Sequence, residues 1–531
     1  MRALLVYPLF PRTYWGQEYT HALTGRRAVL PPLGLLTAAA LLPAEWELRL
    51  VDMNVEPLTD EALSWADVVM LSAMQIQSKS FHEVVARAHA LGKQVVAGGP
   101  YVTTDPDGAP DVDYLVLGEA EETLPGFAHA FEAGRAPARV EAGAFPDVTA
   151  TPIPRFDLVR MEHYNAVGVQ YSRGCPFNCE FCDIIEIFGR VPRTKTPEQL
   201  LRELDRVHAT GFRGAVFVVD DNFIGNKGAA RRMLGPLTAW SRAHGYPFDF
   251  FTEASVNLAA EDALVDALVE AGFSAVFLGI ETPSHEALIE TQKRQNVCLD
   301  LSMAVDKLTR RGLTVMAGFI VGFDSDGEGI FDVQRDFLAR SPIPMALIGI
   351  LTALPSTQLW RRLAREGRLY SQGVGDTAYR PNFVTKLPER TLVDGYARLL
   401  ADVYAPHAYF ARALRVLELQ RDLPPRAYRR PVAFKLKTLL RSLWLQGVRS
   451  GYRREYWRFL LRALRRAPRR LDDAVALAVV GEHMIRYTSE DVLPRMRGEL
   501  APRRPKPPVT EGLVALSARA RARRQPLPLA T

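Results

Sequence analysis

Short apolar runs recur through the first 350 residues, and stretches of helical periodicity lie between them. In the first section the candidate strands are residues 3–7, 47–51, 68–72, 94–97 and 114–117. They lack polar alternation, which is typical of strands that helices cover on both faces of a parallel sheet. Helical patterns lie between them at residues 33–42 and 80–91. The pattern predicts a doubly wound α/β domain over residues 1–144, with ligands beyond the carboxyl ends of its strands.

A proline-punctuated linker at residues 145–164 leads to a second section with the same alternation. Its candidate strands are residues 168–171, 215–219, 248–253, 275–279, 315–321 and 346–351. Repeated β/α units of this length favour a parallel barrel or partial barrel over residues 165–354. Polar segments follow four of the strands, at residues 219–222, 252–255, 279–281 and 322–324. One such segment could simply cap a helix, but four in phase indicate a ligand site at one edge of the barrel.

The third section, residues 355–500, is predicted to be mainly helical, and a basic disordered tail is predicted for residues 501–531. The segment from Arg421 to Thr531 holds 26 Lys and Arg against 9 Asp and Glu. It therefore carries a charge of +17, and residues 1–420 carry −11 of the net +6. The basic excess belongs to the C-terminal part alone.

Helical patterns at residues 434–448 and 456–464 combine Leu and Trp with many Lys and Arg. Two interpretations stay open. The helices could form a cap on the barrel with a solvated basic face, or they could lie on an anionic membrane surface. Nucleic-acid binding is disfavoured, because no stacking platform or groove-reading motif accompanies the charge.

Composition predicts a folded cytoplasmic protein. Hydrophobic residues make up 48% of the chain and charged residues 24%, which is enough for a large core. The longest apolar run, at residues 28–44, is broken by prolines and predicts no membrane span. The N-terminus leads directly into a candidate strand and does not read as a secretory signal. Four cysteines, three of them clustered, do not form a disulfide framework and fit a reducing compartment.

The clustered cysteines are Cys175, Cys179 and Cys182, three of the four in the chain. Thiolates so close together select zinc, copper(I) or an iron–sulfur cluster. A structural zinc site usually has four ligands in two pairs, and no second pair occurs here, although a zinc knuckle stays an alternative. The remaining Cys298 is expected to be an ordinary semi-buried residue. A 4Fe-4S cluster on three cysteines would leave one iron open for chemistry.

This spacing, with Phe181 before the last cysteine, resembles the signature of the radical S-adenosylmethionine (SAM) enzymes. The resemblance implies that SAM chelates the open iron and is cleaved reductively to a 5′-deoxyadenosyl radical, which removes hydrogen from an unactivated carbon. It also implies a set of SAM contacts. These are Asp220 and Asp221 at the methionine amino group, Glu253 and Ser255 at the ribose and carboxylate, and Gly279, Ile280 and the backbone near Phe181 at the adenine. An acidic pocket suits this cationic cofactor, because opposite charges attract.

The N-terminal section, with its Gly-Gly-Pro turn at residues 98–100 and its Gly-Glu-Ala-Glu segment at residues 118–121, resembles the cobalamin-binding subgroup of these enzymes. The resemblance implies cobalamin contacts from the turns at the strand ends, namely Ser72, Gly98, Gly99, Gly118 and Glu119. The chain departs from the pattern in one respect. It has no Asp-x-His-x-x-Gly motif, so no histidine stands in the familiar place to ligate cobalt, an absence common in this subgroup.

Residues 217–223, 252–255 and 318–324 resemble the radical SAM proteins that include hopanoid C-2 methylases. The resemblance implies cobalamin-dependent C-methylation of an unactivated carbon. A hopanoid or another lipid is a candidate substrate, and reduced flavodoxin or a ferredoxin-type protein is the implied electron donor. Because these segments line the cofactor, a non-lipid small molecule stays open as the substrate. Two further alternatives are a radical SAM enzyme without cobalamin that rearranges or couples carbon skeletons, and a non-catalytic iron–sulfur electron-transfer protein.

Overall fold

The computed structural model describes residues 1–370 and 380–499, which form two sheet-containing parts and a helical part. The tail predicted for residues 501–531 lies outside the described residues. None of the helices within these two ranges is long and apolar enough to cross a membrane.

The first sheet has six parallel strands in the order β2-β1-β3-β4-β5-β6. Its strands are β1 (Arg2–Tyr7), β2 (Glu47–Asp52), β3 (Val68–Ser72), β4 (Gln94–Gly98), β5 (Tyr114–Leu117) and β6 (Arg139–Glu141). Its helices are α1 (His21–Thr24), α2 (Leu33–Ala39), α3 (Asp60–Trp65), α4 (Ser78–Ala90), α5 (Pro100–Thr104) and α6 (Ala120–Glu132). Separate apolar clusters cover its two faces. The predicted doubly wound domain is confirmed.

The segment between the two sheets, residues 145–164, contains three short 3-10 helices and packs against the first domain. Arg155 donates its backbone N–H to the carbonyl of Leu36 (3.0 Å), and the buried Tyr164 donates its hydroxyl to Asp52 Oδ2 (3.0 Å). Asp52 ends β2, so this segment holds the first sheet in place beside the second.

The second sheet has six parallel strands in the order β14-β13-β12-β11-β10-β7, with the outer two unpaired to each other. Its strands are β7 (Ala166–Val169), β10 (Gly214–Val218), β11 (Phe248–Ala254), β12 (Phe273–Glu281), β13 (Thr314–Val321) and β14 (Met345–Ile350), and the short strands β8 (Ser172–Arg173) and β9 (Arg193–Thr194) form an antiparallel pair. Its helices are α7 (Ile184–Ile187), α8 (Pro197–Ala209), α9 (Lys227–Ala243), α10 (Asp262–Ala271), α11 (His285–Glu290), α12 (Arg294–Val297), α13 (Leu301–Arg310) and α14 (Ile330–Arg340). This is the predicted partial barrel, called the half barrel below.

The C-terminal part is helical, as predicted. Its helices are α15 (Gln358–Arg365), α16 (Glu389–Val403), α17 (Pro406–Leu419), α18 (Val432–Trp444), α19 (Arg453–Arg466), α20 (Leu471–Arg486) and α21 (Leu493–Glu499), with π-helical turns at Leu445–Arg449 and Tyr487–Val492. One apolar cluster runs from the half-barrel strands into these helices, joining Val276 and Val315 to Leu399 and Leu417. The C-terminal helices therefore share a core with the half barrel.

Candidate active site

The three clustered cysteines lie on a loop, residues 174–192, that the β8–β9 pair closes at its base. Cys175 donates its backbone N–H to the carbonyl of Gly189 (3.2 Å) across the loop. Gly174 has φ +94°, and a Cβ there would lie 2.9 Å from the Gly189 carbonyl oxygen. Only glycine allows this close approach without strain. The sequence thus folds residues 174–192, called the cysteine loop, back on itself.

Amide donors point at two of the three sulfurs. Asn222 Nδ2 lies 3.9 Å from Cys175 Sγ, and Gln295 Nε2 lies 3.6 Å from Cys179 Sγ. Burial, together with the charges of Asp183 and Cys179, raises the pKa of the Cys182 thiol well above its usual range. A thiolate at this position therefore needs a cationic partner, and the irons of a cluster would provide one.

A 4Fe-4S cluster fits this donor set better than a single metal ion does. Within residues 1–370 and 380–499, no three His, Cys, Asp or Glu side chains converge as ligands of one ion. A cubane cluster presents a different iron to each thiolate, so its ligands need not converge. The fourth cysteine, Cys298, is exposed. The expectation that it is semi-buried was wrong, because it lies at the surface just after the short helix α12.

Two adjacent carboxylates follow β10 and accept hydrogen bonds from residues at the start of the cysteine loop. Asp220 is buried and accepts hydrogen bonds from the backbone N–H of Tyr171 (2.7 Å) and the hydroxyl of Ser172 (2.6 Å). Asp221 accepts from the backbone N–H of Gly174 (2.9 Å). Burial raises the pKa of Asp220 to about 6, and burial with the neighbouring charges of Asp220 and Asp183 raises that of Asp221 to about 7. Both oxygens of Asp220 are thus engaged in holding the loop.

The hydrogen bond from the Tyr171 N–H to Asp220 also explains why one predicted strand boundary was wrong. The strand predicted at residues 168–171 ends at Val169 in the structure. Tyr171 has left the sheet because its N–H is directed at Asp220 Oδ1. The pattern of apolar residues does not report this turn, since the partner lies 49 residues away.

Glu253 projects from the end of β11 without a side-chain hydrogen bond to any residue that the structure describes. Burial, reinforced by the charges of Asp221 and Glu281, raises its pKa to about 8. The nearby Ser255 is engaged, since its hydroxyl donates to Asn257 Oδ1 (2.6 Å) and its N–H to Asn222 Oδ1 (3.2 Å). Glu253 is therefore the carboxylate at this edge that is free to meet a cationic ligand.

A buried ion pair lies beside this carboxylate. Lys293 Nζ is 2.7 Å from Glu281 Oε1, at the end of β12. Burial works against the Lys293 ammonium, but the charges of Glu281, Cys179 and Cys182 outweigh it and raise the pKa of Lys293. The amide of Asn296 donates to the carbonyls of Gly279 (2.9 Å) and Ile280 (3.0 Å), which fixes the strand end expected to contact adenine.

The first C-terminal helix, α15, clamps the other side of the cysteine loop. Arg362 binds Glu180 with both ends of its guanidinium, at 2.6 Å (Nε–Oε1) and 3.1 Å (Nη2–Oε2). Gln358 donates its side-chain amide to Asn178 Oδ1 (2.9 Å). Phe181 lies half-buried in the same region, with Lys293 Nζ 5.8 Å from its ring centre. Asn178, Glu180 and Phe181 all lie between the cysteines, so α15 fixes the path of the loop.

The predicted cobalamin contacts gather at one edge of the first sheet. Ser72, Gly98 and Gly118 lie at or just beyond the carboxyl ends of three neighbouring strands, β3, β4 and β5. Gly99 lies directly on Ser72, because a Cβ on Gly99 would come within 2.2 Å of Ser72 Oγ. The edge therefore forms a backbone cradle without side chains at its glycines, which suits close approach by a large flat ligand such as a corrin.

Glu119 lies at this edge too, but its carboxylate is buried against the half barrel. It forms ion pairs with Arg173 (2.5 Å) and Arg193 (2.6 Å), the residues on β8 and β9 at the base of the cysteine loop. Glu121 pairs with Arg173 as well (2.7 Å). The cobalamin-type domain is thus joined directly to the cysteine loop by a buried four-residue ion network.

Sequence reasoning missed several residues that the structure brings to this site. They are Asn222, Lys293, Gln295, Arg173, Arg193, Gln358 and Arg362. Asn222 stood within a polar strand-end segment and could have been included. No local signal marks the others, because each acquires its role from a partner distant in sequence, such as Glu180, which lies 182 residues before Arg362.

Three family descriptions match separate parts of the chain. A B12 binding domain matches residues 22–128, the radical SAM superfamily matches residues 169–332, and a domain of unknown function, DUF4070, matches residues 357–493. The matches follow the order of the first sheet, the half barrel and the helical part.

Two curated relatives extend over nearly the whole chain. An uncharacterized methyltransferase of Synechocystis sp. is 44% identical over 92% of this chain and 92% of its own length. A hopanoid C-2 methylase of Rhodopseudomonas palustris is 35% identical over 92% of this chain and 94% of its own length.

Two solved structures share the fold. The cobalamin-dependent SAM radical enzyme OxsB, with aqua-cobalamin and SAM bound, superposes with a TM-score of 0.59 at 15% identity, covering 98% of this chain and 83% of its own. The radical SAM methyltransferase TsrM from Kitasatospora setae, with cobalamin and a 4Fe-4S cluster bound, gives a TM-score of 0.54 at 16% identity, covering 69% and 78%.

Proposed function

The chain belongs to the family of cobalamin-dependent radical SAM methyltransferases, and we propose that its substrate is a hopanoid or another membrane lipid, methylated at an unactivated carbon. Its cofactors are a 4Fe-4S cluster, SAM and cobalamin. When bound, they supply reductive SAM cleavage, hydrogen abstraction and the methyl group. The protein's own residues hold and orient these groups and exclude water.

The observation that carries the lipid proposal is the apolar inner wall of the half barrel. The rings of Phe217 and Phe251 stack there with centroids 4.6 Å apart, and Phe277 continues the wall against Trp15. All four side chains are partly solvent-accessible. Phe277 pairs in register with Glu253, so the apolar wall begins beside the acidic edge. A hydrocarbon substrate would gain from burial against this wall while its reacting carbon faces the cofactors.

For SAM we assign Glu253 and Asp221 to the cationic methionine end, because both carboxylates lie at the open edge and Glu253 lacks a competing partner. Asp220 is assigned a positioning role under the cysteine loop. Ser255 would act with Asn222 at the ribose, and Gly279 with Ile280 at the adenine. These assignments follow the strand ends at which ligands of parallel barrels bind.

For cobalamin we assign the edge formed by Ser72, Gly98, Gly99 and Gly118. Glu119 would hold the domain against the half barrel through Arg173, rather than contact the corrin itself. The cysteines Cys175, Cys179 and Cys182 would hold the cluster on the opposite side of the substrate. In this arrangement the methyl donor and the radical source would lie on two sides of the substrate.

We further propose that reduced flavodoxin or a ferredoxin-type protein supplies the electron, since the cluster needs a one-electron reductant of low potential. A lipid substrate would place the enzyme in the cytoplasm at the inner face of the membrane.

The experiment that tests the substrate is methyl transfer from labelled SAM. The anaerobically purified protein, loaded with iron, sulfide and cobalamin, would be given SAM with a deuterated methyl group, a reductant and detergent-dispersed hopanoids that lack the methyl group. We expect a hopanoid that carries the labelled methyl, with one 5′-deoxyadenosine and one S-adenosylhomocysteine formed for each methyl transferred. Mass spectrometry of the lipid fraction measures the product.

The matched control replaces the lipid with a polar substrate mixture prepared from the same cells. A labelled polar compound in the control, together with an unlabelled hopanoid in the lipid assay, would show that the substrate is not a lipid. SAM cleavage in both mixtures without labelled hopanoid would have the same meaning, while leaving the family assignment intact.

A further inference from the structure

The two helices α18 and α19 carry apolar side chains that no described part of the chain covers. Leu436, Leu440 and Trp444 are 56%, 57% and 57% exposed, and Trp457 is 42% exposed. Val432, Leu436, Leu440, Trp444 and Val448 are spaced by four residues, so they lie along a single face of α18 and the π-helical turn that follows it. The complete set, called the α18–α19 surface, is Val432, Leu436, Leu440, Trp444, Val448, Trp457, Leu461 and Leu464.

The fold uses the opposite faces of these helices. Thr438, Ser442 and Gln446 are buried, and the Gln446 amide donates to the carbonyl of Ala478 on α20 (2.8 Å). The indole of Trp457 donates to the carbonyl of Gly447 (2.9 Å), which brings the two exposed sets together. The exposed apolar side chains therefore form one surface that the core does not need.

Positive charge surrounds this surface. Residues 432–470 contain twelve Lys and Arg and a single acidic residue, Glu455. Seven of the cations are exposed and have no salt bridge to a described residue, namely Lys437, Arg449, Arg453, Arg454, Arg462, Arg465 and Arg469. A second copy of this chain would bring the same charges against themselves, so charge repulsion opposes a self-association contact here.

We propose that the α18–α19 surface docks the enzyme on a bilayer that contains anionic phospholipid. Exposed Leu and Val with Trp, flanked by unpaired Arg and Lys, match the requirements of a helix that lies in the headgroup region. The apolar side chains enter the acyl boundary, and the cations contact lipid phosphates. This combination distinguishes a lipid surface from a purely apolar protein partner.

The position of the surface in the fold supports a bilayer as the occupant. Arg426 donates to Thr314 Oγ1 (3.0 Å) and lies near Asp249. Thr314 is the first residue of β13 and Asp249 the second residue of β11, so this contact lies at the base of the half barrel. Val432 begins α18 six residues later. The docking surface therefore adjoins the end of the half barrel opposite the cysteines. Passage of substrate from the bilayer to the apolar wall rests on the proposed lipid substrate, but docking itself does not.

The test is flotation of the full-length, cofactor-loaded protein with vesicles of phosphatidylglycerol and phosphatidylcholine, compared with phosphatidylcholine alone. The wild-type protein should float with the anionic vesicles and much less with the neutral ones. We expect the Leu440→Ser/Trp444→Ser variant to partition at least about tenfold more weakly. The Arg462→Gln/Arg465→Gln variant should partition about thirtyfold more weakly, as expected for two cations near an anionic surface.

Matched controls are Met303→Ser/Val333→Ser and Arg310→Gln/Arg340→Gln, which remove exposed residues from the outer helices of the half barrel. They should float like the wild type. All variants should retain iron, corrinoid and SAM cleavage, which shows that they are folded. Because flotation needs no turnover, it is independent of whether the hopanoid assay succeeds.

Three results would overturn the proposal. The first is equal flotation of the wild type and the Leu440→Ser/Trp444→Ser variant. The second is equal binding of the wild type to neutral and anionic vesicles. The third is a wild-type dimer, seen by light scattering, that becomes a monomer in this variant without any loss of flotation, since the surface would then be a protein interface.

Discussion

At the scale of single residues, the site depends on charges held in positions where water screens them poorly. Glu253, Asp221 and the Lys293–Glu281 pair lie together near the cysteine loop, and burial raises the pKa of Glu253 and Asp221. A cationic ligand would reverse that shift, because it stabilises the ionised carboxylates. The residues thus favour a cofactor such as SAM over an anionic one.

Replacement of Cys179 by Ala should abolish both cluster and SAM cleavage. Cys179 is the buried member of the three cysteines, and two thiols cannot satisfy a cluster in place of three. Iron and sulfide analysis with chromatography of 5′-deoxyadenosine checks this. Cys298→Ala is the control and should behave as the wild type, since Cys298 is exposed and distant in sequence. An unchanged iron content in Cys179→Ala would contradict the ligand assignment.

The affinity for SAM should rise with pH through Glu253. Its pKa of about 8 leaves it mostly protonated at pH 7 and ionised at pH 9. If SAM binds the ionised form, its Kd should fall by about tenfold over that interval. Equilibrium binding to the cluster-loaded, unreduced protein measures this. Glu253→Gln should bind weakly and lose most of the pH dependence. If the SAM affinity of Glu253→Gln changed with pH as much as that of the wild type does, Glu253 would not be the titrating contact.

At the scale of elements, the cysteine loop is fixed from two sides. Asp220 and Asp221 hold its start from the end of β10, and α15 holds its middle through Arg362 and Gln358. The helix belongs to the part that matches a domain of unknown function. The first helix of that part, α15, therefore holds the cysteine loop in place.

Replacement of Arg362 by Ala should weaken retention of the cluster. Glu180 is buried, and loss of its guanidinium partner would cost of order 2 kcal/mol in the stability of the loop. We expect less than half of the wild-type iron to remain after gel filtration. Arg362→Lys should be intermediate, because it keeps the charge but loses the two-point contact. The control Arg365→Ala, which removes an exposed arginine three residues later on the same helix, should keep its iron. Full iron retention in Arg362→Ala would show that α15 does not position the loop.

At the scale of the whole molecule, two parallel sheets meet with their functional edges together. The Glu119–Arg173–Arg193–Glu121 network joins the carboxyl edge of the first sheet to the base of the cysteine loop. Loss of one partner of a buried ion pair leaves a costly unpaired charge, so the two parts are held together in this register. The network therefore fixes the first domain against the base of the cysteine loop.

Replacement of Glu119 by Gln should uncouple methylation from SAM cleavage. Iron content and 5′-deoxyadenosine formation should stay near wild type, while bound corrinoid and labelled product should fall by about tenfold or more, because the first domain would no longer dock in register. Glu122→Gln, an exposed neighbour on α6, is the control. If Glu119→Gln lost SAM cleavage and methylation in equal measure, the network would serve the cysteine loop alone.

The sequence by itself determined the features that depend on neighbouring residues. Runs of apolar residues predicted eleven of the twelve strands of the two sheets to within two residues, since buried strands need a continuous local pattern. The edge strand β6 was missed, because its three residues are mostly exposed and polar. The cysteine spacing predicted an iron–sulfur cluster, because ligands on one short loop need no tertiary contact to be recognised. The same locality explains why the doubly wound domain, the half barrel and the helical part were predicted in the right order.

Only the tertiary structure decided which of the predicted site residues still have a carboxylate oxygen available for a ligand. Asp220 and Asp221 look alike in sequence, but both oxygens of Asp220 are used by the cysteine loop. Glu119 was expected at cobalamin, and its carboxylate faces Arg173. Such roles arise when distant segments dock and compete for the same polar groups. A local pattern records the chemistry of a side chain, and packing decides what that side chain meets.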